Sequence, residues 1–369
     1  MGPTLRVDEV VYAPRDGYPL HLTAKRYWVP ELLDSIDKDN DEDGWTLILL
    51  HATSMHKESW EPTLQKIFEL ALNQKGDRPA VKIREAWCLD CPNHGASGRL
   101  NERVLQQEEW YLNFTCEKYA QAVHHFISAG PNHGAKVDFS KRRLCGIGHS
   151  LGGNAMSLLQ SLSSPAFPDA RPFKSLIIVD PMLSAAGPEH LKKLRVLLIK
   201  GAYERRDVWP DRATAMTALK KRGRTTRWDP RILDIFIKHG VVPHQGSYYK
   251  ESPYNGVTLA CTRDQEAAMY RDPDGATKPV QDLTKACNEK PVHLILGGVY
   301  DFMPKRTHDA LVDPKSGRKF ASVIVIPEAG HLVPLEVPDQ LGKVVFNCLV
   351  KNEAGSGGGG HGVALKSKL

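Results

Sequence analysis

The chain has 369 residues, which is enough for one large domain or for a domain with a substantial insertion. Hydrophobic residues make up 41% and charged residues 25% of the sequence, a composition typical of soluble globular proteins. The formal net charge of +6 is modest and spread along the chain, so it does not favour a nucleic-acid partner. It is compatible with an anionic small molecule or an anionic membrane surface. No stretch approaches the roughly 18 apolar residues of a membrane span, so we expect no transmembrane segment.

The N-terminal residues and the cysteines bear on the cellular compartment. Residues 1–8 lack the apolar core of a secretory signal peptide. Seven cysteines without such a signal indicate free thiols in a reducing compartment.

The hydrophobic pattern predicts alternating strands and helices over residues 1–182. In chain order the expected strands are residues 10–12 and 20–22, which form an opening hairpin, and then residues 45–50, 81–87, 144–147 and 175–179. The segment 45–50 is almost continuously apolar, as expected for a parallel strand covered on both faces. Apolar residues at helical spacing predict a helix over residues 108–129.

Residues 183–288 have a different character, because they are helical, basic and aromatic in pattern without clear strand alternation. Short apolar strands return at residues 291–296 and 323–326, and a last helix is expected over residues 338–350. The alternation predicts an α/β fold with a mostly parallel, doubly wound sheet. We expect a core of residues 1–182 and 289–352, an inserted, mainly helical cap of residues 183–288 over the carboxyl edge of the sheet, and a flexible tail of residues 353–369.

The strongest chemical signal is the run from Gly148 to Gly153, which reads Gly-His-Ser-Leu-Gly-Gly and matches the G-x-S-x-G motif. A strand is expected just before the motif and a helix just after it, which is the context that the motif requires. Glycines two positions before and after Ser150 leave room for a sharp strand-to-helix turn, where a Cβ atom would clash. The sequence therefore favours Ser150 as a nucleophile over an ordinary serine in a glycine-rich turn.

A serine nucleophile needs a general base, and His331 follows the last expected strand at the same sheet edge. The chain order of serine, acid and histidine favours His331 among the fifteen histidines. Two aspartates fit the acid, because Asp180 ends the strand after the nucleophile and Asp301 follows the next core strand. Either carboxylate could orient and stabilise the histidine, so the residues leave this choice open.

The proposed chemistry also needs hydrogen-bond donors for a developing oxyanion. The backbone N–H of Leu151, at the start of the expected helix, is one candidate. The N–H groups of Ala52 and Thr53, after the strand that ends at residue 50, are candidates for the second donor. Cys88 and Cys91 form a C-x-x-C pair, but no second pair or paired histidine motif accompanies it, so we expect no metal, no redox centre and no cofactor.

The expected cap carries basic and aromatic residues that each allow two interpretations. The basic residues could bind phosphates or form solvated helix faces. They are Lys192, Lys193, Arg195, Arg205, Arg206, Lys220, Lys221, Arg222, Arg224 and Arg227. The aromatic residues could line an acyl pocket or serve packing alone. They are Trp209, Trp228, Phe236, Tyr248 and Tyr249.

The sequence ends with Ser367, Lys368 and Leu369, a tripeptide that is a receptor-read address for the peroxisome. A glycine-rich stretch at residues 355–360 precedes it and would hold it clear of the fold. We therefore expect the peroxisomal matrix as the location and the peroxisomal import receptor as a partner. The alternatives are a chance tail or an engineered glycine linker.

With these features together, residues 8–350 resemble the α/β-hydrolase fold, and the chain is similar to the fungal peroxisomal α/β-hydrolases. The narrower resemblance depends on residues 51–62, residues 93–97, the nucleophile motif, residues 227–231, Gly330-His331 and the C-terminal tripeptide. That group includes a peroxisomal lipase, hydrolases of host-selective toxin biosynthesis and the acyl-CoA hydrolase of mycophenolic acid biosynthesis. In this family the acid can follow the strand after the nucleophile, which ranks Asp180 before Asp301. The oxyanion loop departs from the usual His-Gly pair, since Ala52 stands in place of glycine.

The resemblance implies a peroxisomal serine hydrolase of esters or thioesters. The basic cap favours an acyl-CoA thioesterase that forms an acyl-enzyme on Ser150. A peroxisomal lipase or carboxylesterase is the alternative, and an acyltransferase could use the same three residues. A role in toxin or secondary-metabolite biosynthesis follows from the resemblance alone.

Overall fold

The computed structural model describes residues 3–15, 17–74, 80–168, 172–223, 225–248 and 255–356. Eleven strands are found within these ranges. They are β1 (Arg6–Tyr12), β2 (Leu22–Trp28), β3 (Trp45–Leu50), β4 (Ile83–Leu89), β5 (Arg143–His149), β6 (Ser175–Val179), β7 (Val208–Trp209), β8 (Val241–Pro243), β9 (Val257–Leu259), β10 (Val292–Gly297) and β11 (Ser322–Ile326).

The main sheet has eight strands in the order β1-β2-β4-β3-β5-β6-β10-β11. Strand β2 runs antiparallel to both β1 and β4, and the pairs from β4 to β11 are parallel. The predicted α/β class with a mostly parallel sheet is therefore confirmed, as is the opening hairpin. The carboxyl ends of β5, β6, β10 and β11 meet at one edge of this sheet, where open α/β folds bind ligands.

Thirteen α-helices are found within the described ranges. They are α1 (Pro30–Leu33), α2 (Glu61–Leu72), α3 (Gly95–Leu100), α4 (Cys116–Ile127), α5 (Leu151–Leu158), α6 (Glu189–Glu204), α7 (Arg212–Lys220), α8 (Pro230–Ile235), α9 (Arg263–Arg271), α10 (Pro279–Glu289), α11 (Lys305–Leu311), α12 (Val333–Glu336) and α13 (Pro338–Ser356). Among these residues, no helix combines the length and the apolar character that crossing a membrane would need.

The sheet is covered on both faces, which explains why its central strand is apolar throughout. Along β3, Ile48 and Leu50 join one buried cluster, whereas Leu47 and Leu49 join the other. Helices α4, α5 and α10 contribute to the first cluster, and α2 and α13 contribute to the second. Successive strand residues point to opposite faces, so this division is what a doubly wound sheet requires.

The helix expected over residues 108–129 begins later than predicted, at Cys116. The hydroxyl of Thr115 accepts a hydrogen bond from the N–H of Lys118 at 3.2 Å and caps the helix. Leu112 has a φ of 51°, which is incompatible with a continuous α-helix. The predicted start was wrong because Tyr111 and Phe114, the first two apolar positions of the helical pattern, lie in the loop before the helix, where Phe114 is buried.

The chain between β6 and β10 contains helices α6 to α10 and also a small sheet in the order β7-β9-β8. The hydrophobic pattern predicted no strand in this region, because strands of two or three residues are too short to show alternation of apolar and polar residues. Helix α10 lies inside the range predicted as cap, but it packs against α5 beneath the main sheet. The limits predicted for the core, the cap and the tail stay a prediction.

Candidate active site

Ser150 lies in the turn between β5 and α5, with φ of 55° and ψ of −124°. A Cβ atom on Gly148 would lie 2.5 Å from the carbonyl oxygen of Gly152, and one on Gly152 would lie 2.5 Å from the carbonyl oxygens of Leu50 and His51. Both glycines are therefore needed for a close backbone approach. The Ser150 N–H donates to the carbonyl oxygen of Val179 at 3.0 Å, which ties the turn to the neighbouring strand.

The imidazole of His331 lies against the Ser150 hydroxyl. Its Nε2 atom is 2.9 Å from Ser150 Oγ, and both side chains are buried. The ring of Phe302 stacks on the imidazole, with 4.9 Å between the centroids and 4° between the planes. His149 Nε2 donates to the His331 carbonyl oxygen at 2.8 Å. His331 is thus held by the stacking of Phe302 on its ring and by the hydrogen bond from His149 to its backbone carbonyl group.

Asp180 follows β6 and reaches the other nitrogen of the same imidazole. Its Oδ1 atom accepts from His331 Nδ1 at 3.1 Å, and its Oδ2 atom accepts from the N–H of Gly297 at 2.7 Å. Burial by itself would raise the pKa of this carboxyl, but hydrogen bonds from His308 and His331 hold the pKa well below its ordinary value. The carboxylate is therefore ionised and acts only as a hydrogen-bond acceptor.

His308, on α11, is a further buried histidine at this carboxylate, and sequence analysis missed it. Its Nε2 atom is 3.1 Å from Asp180 Oδ1, the same oxygen that His331 contacts. The Asp180 carboxylate thus accepts hydrogen bonds from two imidazoles and one backbone amide. No motif marks His308 in the sequence, because α11 reaches Asp180 only through the tertiary fold.

Asp301, the alternative acid, occupies a different place from Asp180. Its Oδ1 atom accepts from the backbone N–H of His331 at 3.1 Å, and its Oδ2 atom lies 3.1 Å from Arg227 Nη1. Both ring nitrogens of His331 already have partners in Ser150 and Asp180. The structure therefore brings Ser150, His331 and Asp180 into one chain of hydrogen bonds and leaves Asp301 beside it.

The expected oxyanion donors lie on two neighbouring segments at the start of α5. Leu151 is the first residue of that helix, so its N–H has no acceptor within the helix. The loop with Ala52 and Thr53 is buried beside it, at the close approach that Gly152 permits. His51 fixes this loop, because its Nε2 accepts from the N–H of Cys91 at 3.0 Å and its Nδ1 donates to the Ala52 carbonyl at 2.8 Å.

The charged run after this loop forms a buried ionic network. Lys57 Nζ lies 2.9 Å from Asp90 Oδ2 and 3.0 Å from Glu58 Oε1, and Lys25 also contacts Glu58 at 3.2 Å. Burial by itself would lower the pKa of Lys57, but the two carboxylates raise it above its usual value. These ion pairs anchor the segment that follows Ala52 and Thr53 to Asp90, at the carboxyl end of β4. Lys57 and Glu58, which belong to the resemblance segment of residues 51–62, therefore have a structural role.

A cavity of about 420 Å³ lies between the core and the region predicted as cap. On the core side it is lined by Thr53, by Phe302, whose ring stacks on His331, and by Leu332, which follows His331 in the chain. Its other side is largely apolar and aromatic, and includes Leu194, Leu197, Leu198, Trp209, Trp228 and Phe236. Of the predicted acyl-pocket residues, Trp209, Trp228 and Phe236 are therefore at the cavity. Tyr249 lies outside the described residues, and so does the side chain of Tyr248.

Three of the predicted basic residues, Arg205, Arg206 and Arg222, also line this cavity. Arg205 forms an ion pair with Glu266 in the cavity wall. Arg206 donates from Nε to the carbonyl oxygen of Val208 at 2.9 Å. Arg195, in contrast, donates to backbone carbonyl groups on α9. Arg224 lies outside the described residues.

Cys88 and Cys91 are both buried, and burial raises the pKa of each thiol well above its usual value. Neither thiol is therefore activated as a thiolate. Within the described parts of the chain, no group of three or more histidine, cysteine, aspartate or glutamate side chains could hold a metal ion. Ser367, Lys368 and Leu369 lie outside the described residues.

Residues 47–344 match the alpha/beta hydrolase family. An abhydrolase domain-containing protein of Alternaria alternata is 26% identical over 234 residues, which are 57% of this chain and 84% of that protein. A type I acyl-CoA thioesterase of Penicillium roqueforti is 27% identical over 291 residues, which are 78% of this chain. The match spans only 55% of the thioesterase's own length.

Solved structures share the same architecture. A peroxisomal alpha-beta-hydrolase from Saccharomyces cerevisiae superposes with a TM-score of 0.65 at 17% identity, over 95% of this chain and 90% of that one. The thioesterase domain from the curacin biosynthetic pathway gives a TM-score of 0.60 at 13% identity, over 93% of this chain and 99% of that one. At these identities the likeness shows the fold alone.

Proposed function

Because the chain belongs to the alpha/beta hydrolase family, we propose that it is a serine hydrolase of esters or thioesters with Ser150, His331 and Asp180 as its catalytic residues. The observation that carries this proposal is the continuous chain of contacts through one imidazole. His331 lies 2.9 Å from the Ser150 hydroxyl on one side and 3.1 Å from the Asp180 carboxylate on the other. This is the geometry in which a histidine can take a proton from a serine nucleophile.

In the proposed mechanism, Ser150 Oγ attacks the carbonyl carbon of the substrate while His331 Nε2 accepts the hydroxyl proton. Asp180 holds the imidazole in the required tautomer and stabilises its positive charge. The N–H of Leu151, with that of Ala52 or Thr53, binds the developing oxyanion. The leaving group departs with the proton from His331, and a water molecule activated by the same imidazole then hydrolyses the acyl-enzyme.

For the substrate we favour an acyl-CoA thioester. The mostly apolar cavity suits an acyl chain, and the arginines at its wall suit the anionic groups of coenzyme A. The similarity to a type I acyl-CoA thioesterase supports the same choice. A simple carboxylic ester is the second candidate, because the charge of Arg205 is neutralised by Glu266 and the apolar wall alone could bind a lipid ester.

The substrate class can be tested with acyl-CoA thioesters and matched p-nitrophenyl esters of the same acyl chains. We expect the wild type to prefer the thioesters and Ser150→Ala to lose turnover of both. Activity on the simple esters alone would assign the protein to the lipases and carboxylesterases. Undiminished turnover by Ser150→Ala would remove Ser150 as the nucleophile.

We also propose a peroxisomal matrix location, with the import receptor as partner of Ser367, Lys368 and Leu369. A fluorescently tagged chain with its natural C-terminal residues should enter peroxisomes, and the same chain without Leu369 should stay in the cytosol. Import of the shortened chain would contradict the role of the tripeptide.

A further inference from the structure

The segment of residues 227–231, with the sequence Arg-Trp-Asp-Pro-Arg, has no part in the proposed chemistry, yet it touches the loop that carries His331. This segment belongs to the inserted region, before and at the start of α8. The Asp229 N–H donates to the Leu335 carbonyl oxygen at 2.8 Å. Arg231 Nη2 lies 3.0 Å from Asp339 Oδ1. The segment is thus attached to α12 and to the start of α13.

Arg227 makes the most contacts to the histidine loop. Its guanidinium lies 3.1 Å from Asp301 Oδ2 and 2.7 Å from Glu336 Oε2. It also donates to the carbonyl oxygen of Glu328 at 3.0 Å. One cap side chain therefore joins three residues around His331, two through charge-assisted hydrogen bonds and one through its backbone.

The two carboxylates that Arg227 joins hold the backbone on either side of the Gly330–His331 peptide. Glu336 Oε2 accepts from the N–H of Gly330 at 2.9 Å, and Asp301 Oδ1 accepts from the N–H of His331 at 3.1 Å. Gly330 is needed here, because a Cβ atom on it would meet the Asp301 carboxylate. The position of the imidazole thus depends on two acceptors that the same arginine orients.

We propose that Arg227 is a positioning residue that couples docking of the cap to the placement of the catalytic histidine. The inference rests on the proposed function, because it assigns the catalytic base to His331. It also gives Asp301 a role: this aspartate links the cap to the backbone of the base, whereas Asp180 serves the imidazole ring.

The charges around His331 give this proposal a distinct signature. The imidazole faces Asp180, His149 and, through Asp180, His308, while Asp301 and Glu336 approach its backbone. Arg227 is the cation that the structure places between those last two carboxylates. Without it, the carboxylates of Asp301 and Glu336 would lose their shared partner, and the acceptors of the Gly330 and His331 N–H groups would shift. A simple loss of cap stability would instead act through substrate binding and KM.

The test compares Arg227→Ala and Arg227→Lys with Arg231→Ala as the matched control. Arg231 also joins the cap segment to the core, but it has no contact with the histidine loop within the described residues. The readouts are kcat and KM on a p-nitrophenyl ester and the rate at which a fluorophosphonate labels Ser150. In the labelling step the Ser150 oxygen bonds to phosphorus, fluoride leaves, and His331 takes the proton.

For Arg227→Ala we expect kcat and the labelling rate to fall about tenfold or more, with a smaller change in KM. Arg227→Lys should recover part of the rate, because an ammonium group can pair with one carboxylate but cannot bridge both. Arg231→Ala should stay within about twofold of the wild type.

Equal kcat and equal labelling rates for Arg227→Ala and Arg231→Ala would overturn the proposal. So would a rise in KM for Arg227→Ala without a fall in kcat, since that result indicates lost substrate binding by the cap alone. If thermal melts show that Arg227→Ala is unfolded, the same comparison is made with Arg227→Lys, whose unchanged kcat and labelling rate would overturn it equally. Failure of the wild type to be labelled at Ser150 would instead contradict the proposed function.

Discussion

The nucleophile turn and the loop that carries His331 are joined by the hydrogen bond between Ser150 and His331, but they are held in different ways. The turn at Ser150 is fixed locally, by a strand, a helix and two glycines that allow backbone to pack on backbone. The loop at His331 is fixed from a distance, through Asp180, Asp301 and Arg227 from three other parts of the chain.

This difference shows which parts of the site a short motif can encode. The turn repeats its geometry wherever its six residues are found between a strand and a helix. The loop depends on side chains far away in sequence, so no short motif can encode its position. Substitutions in the turn should therefore lower the stability of the protein, and substitutions around the loop should lower the rate of proton transfer.

The largest expected effect separates the two aspartates. Asp180→Asn should lower kcat about 10⁴-fold, because an amide cannot hold the imidazole in the tautomer that accepts the serine proton. Asp301→Asn should cost about tenfold, because it weakens only the contact to the His331 backbone. Steady-state kinetics of both variants on one ester would show the contrast, and a greater loss for Asp301→Asn would reverse the assignment.

A second expectation concerns the buried histidines that connect the turn with its surroundings. Burial, followed by smaller contributions from neighbours, lowers the pKa of His149 from 6.5 to about 3, and of His51 from 6.5 to about 4. The unfolded chain then binds more protons than the folded one below pH 6.5, so the free energy of unfolding falls as the pH decreases towards 4. Each residue contributes up to about 1.4 kcal/mol per pH unit in that window. Urea unfolding at pH 7, 6, 5 and 4 would measure it, and a flat profile would show that these rings are not buried in the neutral form.

The turn itself can be tested by adding one methyl group. Gly152→Ala should destabilise the protein by about 1–3 kcal/mol, because the new Cβ would meet two backbone carbonyl oxygens at 2.5 Å. Gly201→Ala is the control, since it lies within α6 with open space around it and should stabilise the helix by about 0.5–1 kcal/mol. Thermal unfolding of both variants gives the comparison. Equal stability of Gly152→Ala and the wild type would mean that the close approach at the turn is not required.

The smallest expected effect is that of His308→Ala. The variant removes one of three hydrogen bonds to the Asp180 carboxylate but leaves the contacts to His331 and Gly297. We expect kcat to fall about tenfold at most, in line with the loss of one hydrogen bond to a charged group. A loss as large as that of Asp180→Asn would show that His308, and not the backbone, determines the position of this carboxylate.

The sequence predicts the sheet and the place of Ser150 between a strand and a helix because both depend on local patterns. Buried parallel strands are continuously apolar, and β3 and β6 have the bounds that this pattern predicts. The acid could not be settled in the same way. Asp180 and Asp301 both follow core strands, and only the tertiary arrangement decides which one faces the ring and which one the backbone.

The remaining differences have equally specific causes. The small sheet β7-β9-β8 consists of strands too short for a periodic pattern. His308 has no motif, because its relation to Asp180 spans 128 residues of sequence. Arg227 belongs to a recognisable run of residues, but the sequence does not tell that its partners are Asp301 and Glu336. Local sequence patterns carry no information on such long-range contacts between side chains.

The central claim is that Ser150 carries the acyl group during turnover. The most direct measurement is to mix the wild type with an acyl-CoA, quench with acid within milliseconds to seconds, and map the modified peptide by mass spectrometry. We predict a mass increase equal to the acyl group on the peptide that contains Ser150, and none in Ser150→Ala. Release of coenzyme A by the wild type without any acylated Ser150, at a rate that Ser150→Ala also reaches, would contradict the account.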